Sequence, residues 1–220
     1  MMLYSKVRLL RKGSKDPTRL ANWRPISLLT ATYKLFSGIV NLRLQKIVDK
    51  ICHRSQKAYS SQRSIHESVL NVFEILGKAK RARAPIASVL VDFSRAFDVV
   101  GHQYIRKALE FHNIGPFFCD IIMTTLKNRK ACIIDEEGGL TPFFDICIGV
   151  LQGDRSSPQL FKLCINPLLI RLSLERDISL PPQVNCKPGD KADPVVGFAD
   201  DLNILCLPSS SCFTRIKNIF

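Results

Sequence analysis

The segment DPVVGFADDLNILCL, residues 193–207, sets two adjacent aspartates, Asp200 and Asp201, between two short apolar runs. Short runs rich in β-branched residues read as strands, and two of them around a polar break read as a hairpin. The two carboxylates then stand at its turn, where they repel one another. A third aspartate, Asp92, ends the apolar run IASVLVDF (86–93), which predicts a buried strand. Charge at the end of a buried strand is costly unless a cation neutralises it. Carboxylates with no His or Cys close by in sequence suit a hard divalent ion, Mg2+ or Mn2+. Aspartates that only cap turns are the alternative, and the 108 residues from Asp92 to Asp200 do not by themselves bring the two together.

Outward from these runs, short strands mix with amphipathic helices. LYSKVRLLRKGSKD (3–16) predicts a strand followed by a basic turn. NWRPISLL (22–29) predicts an extended stretch, because Pro25 pushes Arg24 away from helical backbone. Phe36, Val40, Leu44, Ile47 and Ile51 recur at steps of three and four and predict a helix over 32–51. A second helix over 64–76 places Ile65, Val69, Val72, Phe73 and Leu76 on one face and ends at Gly77. Further helices are expected at 102–112, 117–128 and 157–175, the last opened by Ser157 and Pro158 and kinked at Pro167. ACIIDEEGGLTPFFDICIG (131–149) predicts a hairpin around Gly138 and Gly139. The order lacks regular βαβ alternation and predicts an α+β fold, an antiparallel sheet packed on helices.

A chain of 220 residues with 46% hydrophobic content can bury a core, which argues against wholesale disorder. No stretch approaches the ~18 uninterrupted apolar residues of a membrane span. The opening MMLYSKVRLLRKG lacks the apolar run and cleavage site of a secretory signal. The net charge is +13, and it is uneven: residues 1–84 hold eighteen Lys and Arg against four Asp and Glu, residues 85–220 fourteen against fifteen. Such a basic first third points to a polyanion partner. The eight cysteines form no CxxC pair and the histidines show no HExxH spacing, which disfavours zinc. They read as buried thiols of a reducing, intracellular compartment, nucleus or cytoplasm, in a protein that is not secreted.

Three of these stretches also carry a family resemblance. VDFSRAFD (91–98), GVLQGDRSSPQLF (149–161) and FADD (198–201) resemble, in order and approximate spacing, the motifs of reverse transcriptases. NWRPISLL followed by YKLF (33–36) and NLRL (41–44) is similar to the fingers motif of non-LTR, LINE-type retrotransposon enzymes. The resemblance runs from about Lys6 to Leu207. It implies a right-hand polymerase palm with a helical, basic fingers region: residues 1–84 as fingers, residues 85–220 as palm truncated at its C-terminus. The thumb and primer grip are expected past Phe220, and no endonuclease domain is expected ahead of the match. The implied activity is that of an RNA-directed DNA polymerase, which joins a dNTP to a primer 3′-OH on an RNA template, with no membrane partner.

The resemblance also implies roles. Asp92, Asp200 and Asp201 match the metal-holding catalytic aspartates. Phe97 matches the aromatic that crowds the sugar 2′ position, and Asp98 a residue of structural role. Gln152 and Gly153 match the pair that packs near the incoming nucleotide and template base. Lys12 and Arg24 match basic fingers positions that reach the triphosphate. In QKAYSSQRSIHE (56–67), Arg63 and Ser64 fit the family pattern, with Arg63 among the nucleotide-binding positions. Ala58 and Tyr59 stand there in place of the usual Gly and Phe, and Arg155 in place of a common Pro. Two alternatives follow: a catalytically inactive, reverse-transcriptase-derived nucleic-acid-binding fragment, or a group II intron maturase or telomerase-like relative. NWRPISLL and the AFD after Asp92 favour the LINE-type reading.

Overall fold

A computed structural model describes residues 3–135, 137–184 and 193–220. They form two compact units, each assembled from two separated stretches: Met1–Ile47 with Arg95–Cys164, and Val48–Ser94 with Ile165–Phe220.

The first unit is built on a four-stranded sheet in the order β2-β1-β4-β5, from β1 (Leu3–Arg11), β2 (Trp23–Leu28), β4 (Arg129–Ile134) and β5 (Phe144–Ile146). The expected antiparallel pairing holds for β1 with β2 and for β4 with β5, but β1 runs parallel to β4. A parallel pair needs a long crossover between its strands, and here helical chain separates them. Strand β1 alternates: Ser5 and Val7 are buried, while Tyr4, Lys6 and Arg8 are exposed. The 131–149 hairpin forms as expected, its turn closed by the Gly139 amide donating to Asp135 Oδ1 at 2.6 Å. Helices α3 (His102–Phe111) and α4 (Pro116–Leu126) supply Ile105, Leu109, Ile122 and Leu126 to the core. Pro116 opens α4, where its missing N–H is no loss.

A buried charged group anchors this unit. Tyr33 Oη donates to Asp154 Oδ2 at 2.6 Å, and Arg129 Nη2 donates to Tyr33 Oη at 2.7 Å and to Asp154 Oδ2 at 3.3 Å. Arg129 Nε donates to the Thr125 carbonyl, and Asp154 Oδ1 accepts from the Ser156 amide at 3.1 Å. All three side chains are almost fully buried. Removing one partner of such a pair strands a charge in the interior, at a cost of about 3–5 kcal/mol.

The second unit holds the three-stranded antiparallel sheet β3-β7-β6, from β3 (Ala87–Asp92), β6 (Val195–Phe198) and β7 (Asp201–Cys206). Two expectations are corrected. Strand β3 is not buried on both faces: it lies at the sheet edge, and Ser88, Leu90 and Asp92 alternate outward, Leu90 78% exposed. Helix α2 (Ile65–Arg81) runs a turn past Gly77, and its buried face carries Ser68, Ile75 and Ala79. Ile65, Val69, Phe73 and Leu76 are exposed. Ile75 and Ala79 pack with Leu180, Val184 and Leu205, which outweighs the roughly 1 kcal/mol that a helical glycine costs.

Helix α1 (Ala31–Ile51) buries Tyr33, Ser37, Val40, Leu44 and Val48, while Phe36 and Ile47 are exposed. Helix α5 (Ser157–Leu174) contains Pro167 within its run, and α6 (Ser210–Ile219) follows β7, its Ser209 cap accepting from the Cys212 amide. Among the described cysteines six are buried free thiols, and Cys147 is exposed, contrary to expectation; Cys186 lies outside the described residues. Burial pushes the Cys164 thiol up to about 12. No helix of the described residues is long and apolar enough to cross a membrane.

Candidate active site

Asp92 is the last residue of β3 and Asp201 the first of β7, and the antiparallel register makes them direct Cα partners. Phe198 pairs with Asp201 as well, so the β6–β7 turn consists of Ala199 and Asp200 alone. The two apolar runs seen in the sequence thus bring Asp92 and Asp201 together on one sheet face and seat Asp200 on the adjoining turn. Asp92 and Asp201 are exposed and Asp200 is half-buried, so none is the deeply buried carboxylate that an interior strand implies. Like charges directly opposed across a ladder destabilise it.

The donor set is all carboxylate oxygen, the hard ligand that hard divalent cations take. That fits Mg2+ or Mn2+ rather than zinc or copper. Among the described residues no group of three or more His, Cys, Asp or Glu side chains is already gathered around a single point. The aspartates therefore line up along one strand-pair end without closing into a nest.

Tyr59 belongs to the same surroundings. Its phenol is held above its ordinary value by burial and by the charge of Asp200. The sequence marks Tyr59 only as a departure from the family pattern. Arg63, expected at the nucleotide, is committed elsewhere: Nη1 donates to the carbonyls of His53 (2.8 Å) and Gln56 (3.0 Å), and Nη2 to those of Asp49 (3.0 Å) and Cys52 (3.2 Å). Carbonyls at the end of α1 have no intrahelical partners, and one guanidinium with five donors satisfies them. Arg63 is a helix-end fastener in this structure.

The other candidates lie in the first unit. Phe97 is half-buried and stacks on Phe161 of α5, ring centroids 4.5 Å apart and planes 19° apart. Gln152 donates through its side-chain amide to Asp98 Oδ1 at 3.0 Å, and its carbonyl accepts from the Ser27 amide at 2.8 Å. Asp98 therefore does have a structural partner. Gly153 stands at φ +109°, and a Cβ there would meet the Ser27 carbonyl at 2.8 Å. Its close approach is to β2 of its own fold, where the sequence suggested a ligand.

Asp154, two residues on from Gln152, ties the same loop to Arg129 and Tyr33, and the sequence did not single out any of the three. Arg155 is exposed, with Nη1 over Gly38 of α1, 3.2 Å from where a Cβ would stand. It leaves the bonds of Gln152 intact. Lys12 Nζ donates to the Ala21 carbonyl at 3.0 Å. Arg24 is exposed on β2, opposite Leu10, on the face that also carries Lys6 and Arg8. That face is basic and holds Tyr4 against Phe143 at 5.1 Å.

The family model described as reverse transcriptase (RNA-dependent DNA polymerase) matches residues 10–218. The uncharacterized 149 kDa protein of transposon TX1 from Xenopus laevis is 31% identical over 196 residues, 88% of this chain and 15% of the relative. A retrovirus-related Pol polyprotein from a type-1 retrotransposable element R2 of Popillia japonica is 30% identical over 185 residues, 84% of this chain and 25% of the relative. The chain thus spans a quarter or less of these relatives. The structure of telomerase from Candida albicans, in complex with a fragment of telomeric RNA, superposes with a TM-score of 0.69 over 99% of this chain and 38% of the telomerase, at 12% identity. At that identity the likeness is one of fold.

Proposed function

This chain belongs to the reverse transcriptase family, in its non-LTR retrotransposon branch, and from that premise we propose that it carries the nucleotidyl-transfer site of an RNA-directed DNA polymerase. In the proposed reaction the primer 3′-oxygen bonds to the α-phosphorus of a dNTP, pyrophosphate leaves, and the hydroxyl proton passes to solvent. The partners are an RNA template, a DNA primer and dNTPs, which sets the work in the nucleus or cytoplasm. The basic residues 1–84 take the fingers role and residues 85–220 the palm role.

Asp92, Asp200 and Asp201 are the residues that hold Mg2+ or Mn2+. When bound there, the ion lowers the pKa of the attacking hydroxyl and offsets charge developing on the phosphate. The observation that carries the proposal is the register of Asp92 opposite Asp201, with Asp200 on the turn beside it. Phe97, fixed by its stack on Phe161, excludes a 2′-hydroxyl by bulk. Gln152, oriented by Asp98, contacts the nucleotide. Arg24 and Lys12 attract phosphate.

The inactive-fragment reading draws on Arg155, but that side chain lies on α1 and does not displace Gln152. Extension of a DNA primer on an RNA template by the full chain with Mg2+ tests the proposal. Wild type adds at least one dNTP, while Asp92→Asn and Asp200→Asn add none. Equal addition by the variants overturns it.

A further inference from the structure

Gln56 lies seven residues before Arg63 and is 1% exposed. Its side-chain amide grips both polar groups of one residue: Nε2 donates to the Ala199 carbonyl at 3.0 Å, and Oε1 accepts from the Ala199 amide at 2.9 Å. Oε1 also accepts from the Ala58 amide at 3.1 Å. The backbone around it is docked too. The Lys57 amide donates to the Gly197 carbonyl at 3.0 Å, and the Gly197 amide to the Ser55 carbonyl at 3.0 Å. Gln56 and Gly197 thereby make a one-residue parallel bridge on β6.

The residue it grips is a strained one. Ala199 stands at φ +56°, in the left-handed region that L-residues avoid. It occupies the first position of a two-residue hairpin turn, where such a φ normally calls for glycine. Ala199 is itself buried, and its N–H and C=O face away from the β6–β7 ladder, so unpaired they would be costly. Gln56 satisfies both at once. Asp200 is the next residue and Asp201 the one after, so the peptide that Gln56 fixes aims both carboxylates. Strain of this kind persists only where the surroundings over-determine it.

We propose that Gln56 is a positioning residue for Asp200 and Asp201, locking the Ala199 turn so that the two carboxylates and Asp92 can share a divalent ion. The inference rests on the metal-holding role proposed above for the three aspartates. Gln56 touches neither substrate nor ion; it acts through the turn. The sequence offers Gln56 only as the first letter of QKAYSSQR.

The test is Mn2+ titration of the full chain, with free ion read by electron paramagnetic resonance, alongside hydrogen exchange at the Ala199 amide. Partners that orient ligating carboxylates cost about 10–100-fold in metal affinity when removed. Gln56→Met, close in shape and without the amide, should lose about tenfold or more in affinity and exchange Ala199 faster. Ala199→Gly in that background relieves the backbone strain and should recover part of the loss. Gln56→Asn keeps the amide and adds no charge but is one methylene too short to reach both polar groups of Ala199; it provides the reading if the Met variant does not fold, and its loss should be intermediate. Binding as tight as wild type in a folded Gln56→Met or Gln56→Asn chain with faster exchange at Ala199 overturns the positioning role. Wild-type binding that Asp92→Asn and Asp200→Asn leave unchanged overturns the metal-site reading instead.

Discussion

Asp92 and Asp201 are Cα partners across β3 and β7, both exposed, at the end of the pair where the turn bearing Asp200 begins. Two carboxylates in direct cross-strand opposition gain nothing from each other. Without a cation the pair weakens its sheet, by a few tenths of a kcal/mol at an exposed position. Asp92→Asn is therefore expected to raise Tm slightly in chelator-treated buffer, by about 1–2 °C at this chain length. Added Mg2+ should close the gap by stabilising wild type more than the variant. A variant less stable than wild type without metal would count against the repulsive pair.

Gly153→Ala tests the loop that carries Gln152. The alanine needs φ +109° and sets its Cβ 2.8 Å from the Ser27 carbonyl. An expected loss of about 1–3 kcal/mol should appear as a lower urea midpoint with an unchanged slope. Unaltered stability would mean that β2 and the loop do not approach as described.

Tyr33 provides a pH prediction. Burial, first, and then the neighbouring Asp154 raise its phenol, while Arg129 draws it down; the net shift is upward from 10.0. The unfolded chain loses this proton near pH 10 and the folded chain keeps it. Above pH 10 the unfolded state therefore binds fewer protons, and stability falls as pH rises. Tyr33→Phe should be less stable at pH 8 by about 1 kcal/mol or more, because Asp154 loses a bond, and should show a shallower decline above pH 10. An identical decline in both proteins would exclude Tyr33 as its source.

The exposed face of β1 and β2 supplies a fourth. Lys6, Arg8 and Arg24 stand on it with no acidic residue among them. Replacing all three with Ala should weaken binding to RNA–DNA duplexes of any sequence. The slope of log affinity against log salt should flatten by about one unit per phosphate contact removed. A slope as steep as that of wild type would place the contacts elsewhere.

How far the sequence reaches is visible in particular residues. The short apolar, β-branched runs around Asp92 and around Asp200 and Asp201 were legible as strands, and the polar break between the last two as a hairpin turn. Which face of β3 meets solvent was not, because VLV reads alike at a sheet edge and in a sheet interior. On α2 the large apolar residues suggested one face, yet packing selected the small Ser68 and Ala79 beside Ile75. Periodicity weighs size and hydropathy; the close approach of Ala79 to Leu180 and Leu205 depends on shape. Arg63 looked like a ligand because a lone arginine in sequence does not reveal four carbonyls converging on it. Gln56, Asp154, Arg129 and Tyr33 went unmarked for the same reason: their partners lie far away in the chain. Gly153 was expected beside the nucleotide, and in the structure the backbone that approaches it is that of Ser27.

The most direct test of the central claim is anomalous diffraction at the manganese edge, from crystals of this chain with an RNA template, a DNA primer and a non-hydrolysable dNTP. A manganese peak in contact with Asp92 and with at least one of Asp200 and Asp201 is the expected result. Manganese bound to the triphosphate alone, with all three carboxylates free of it, would contradict the account.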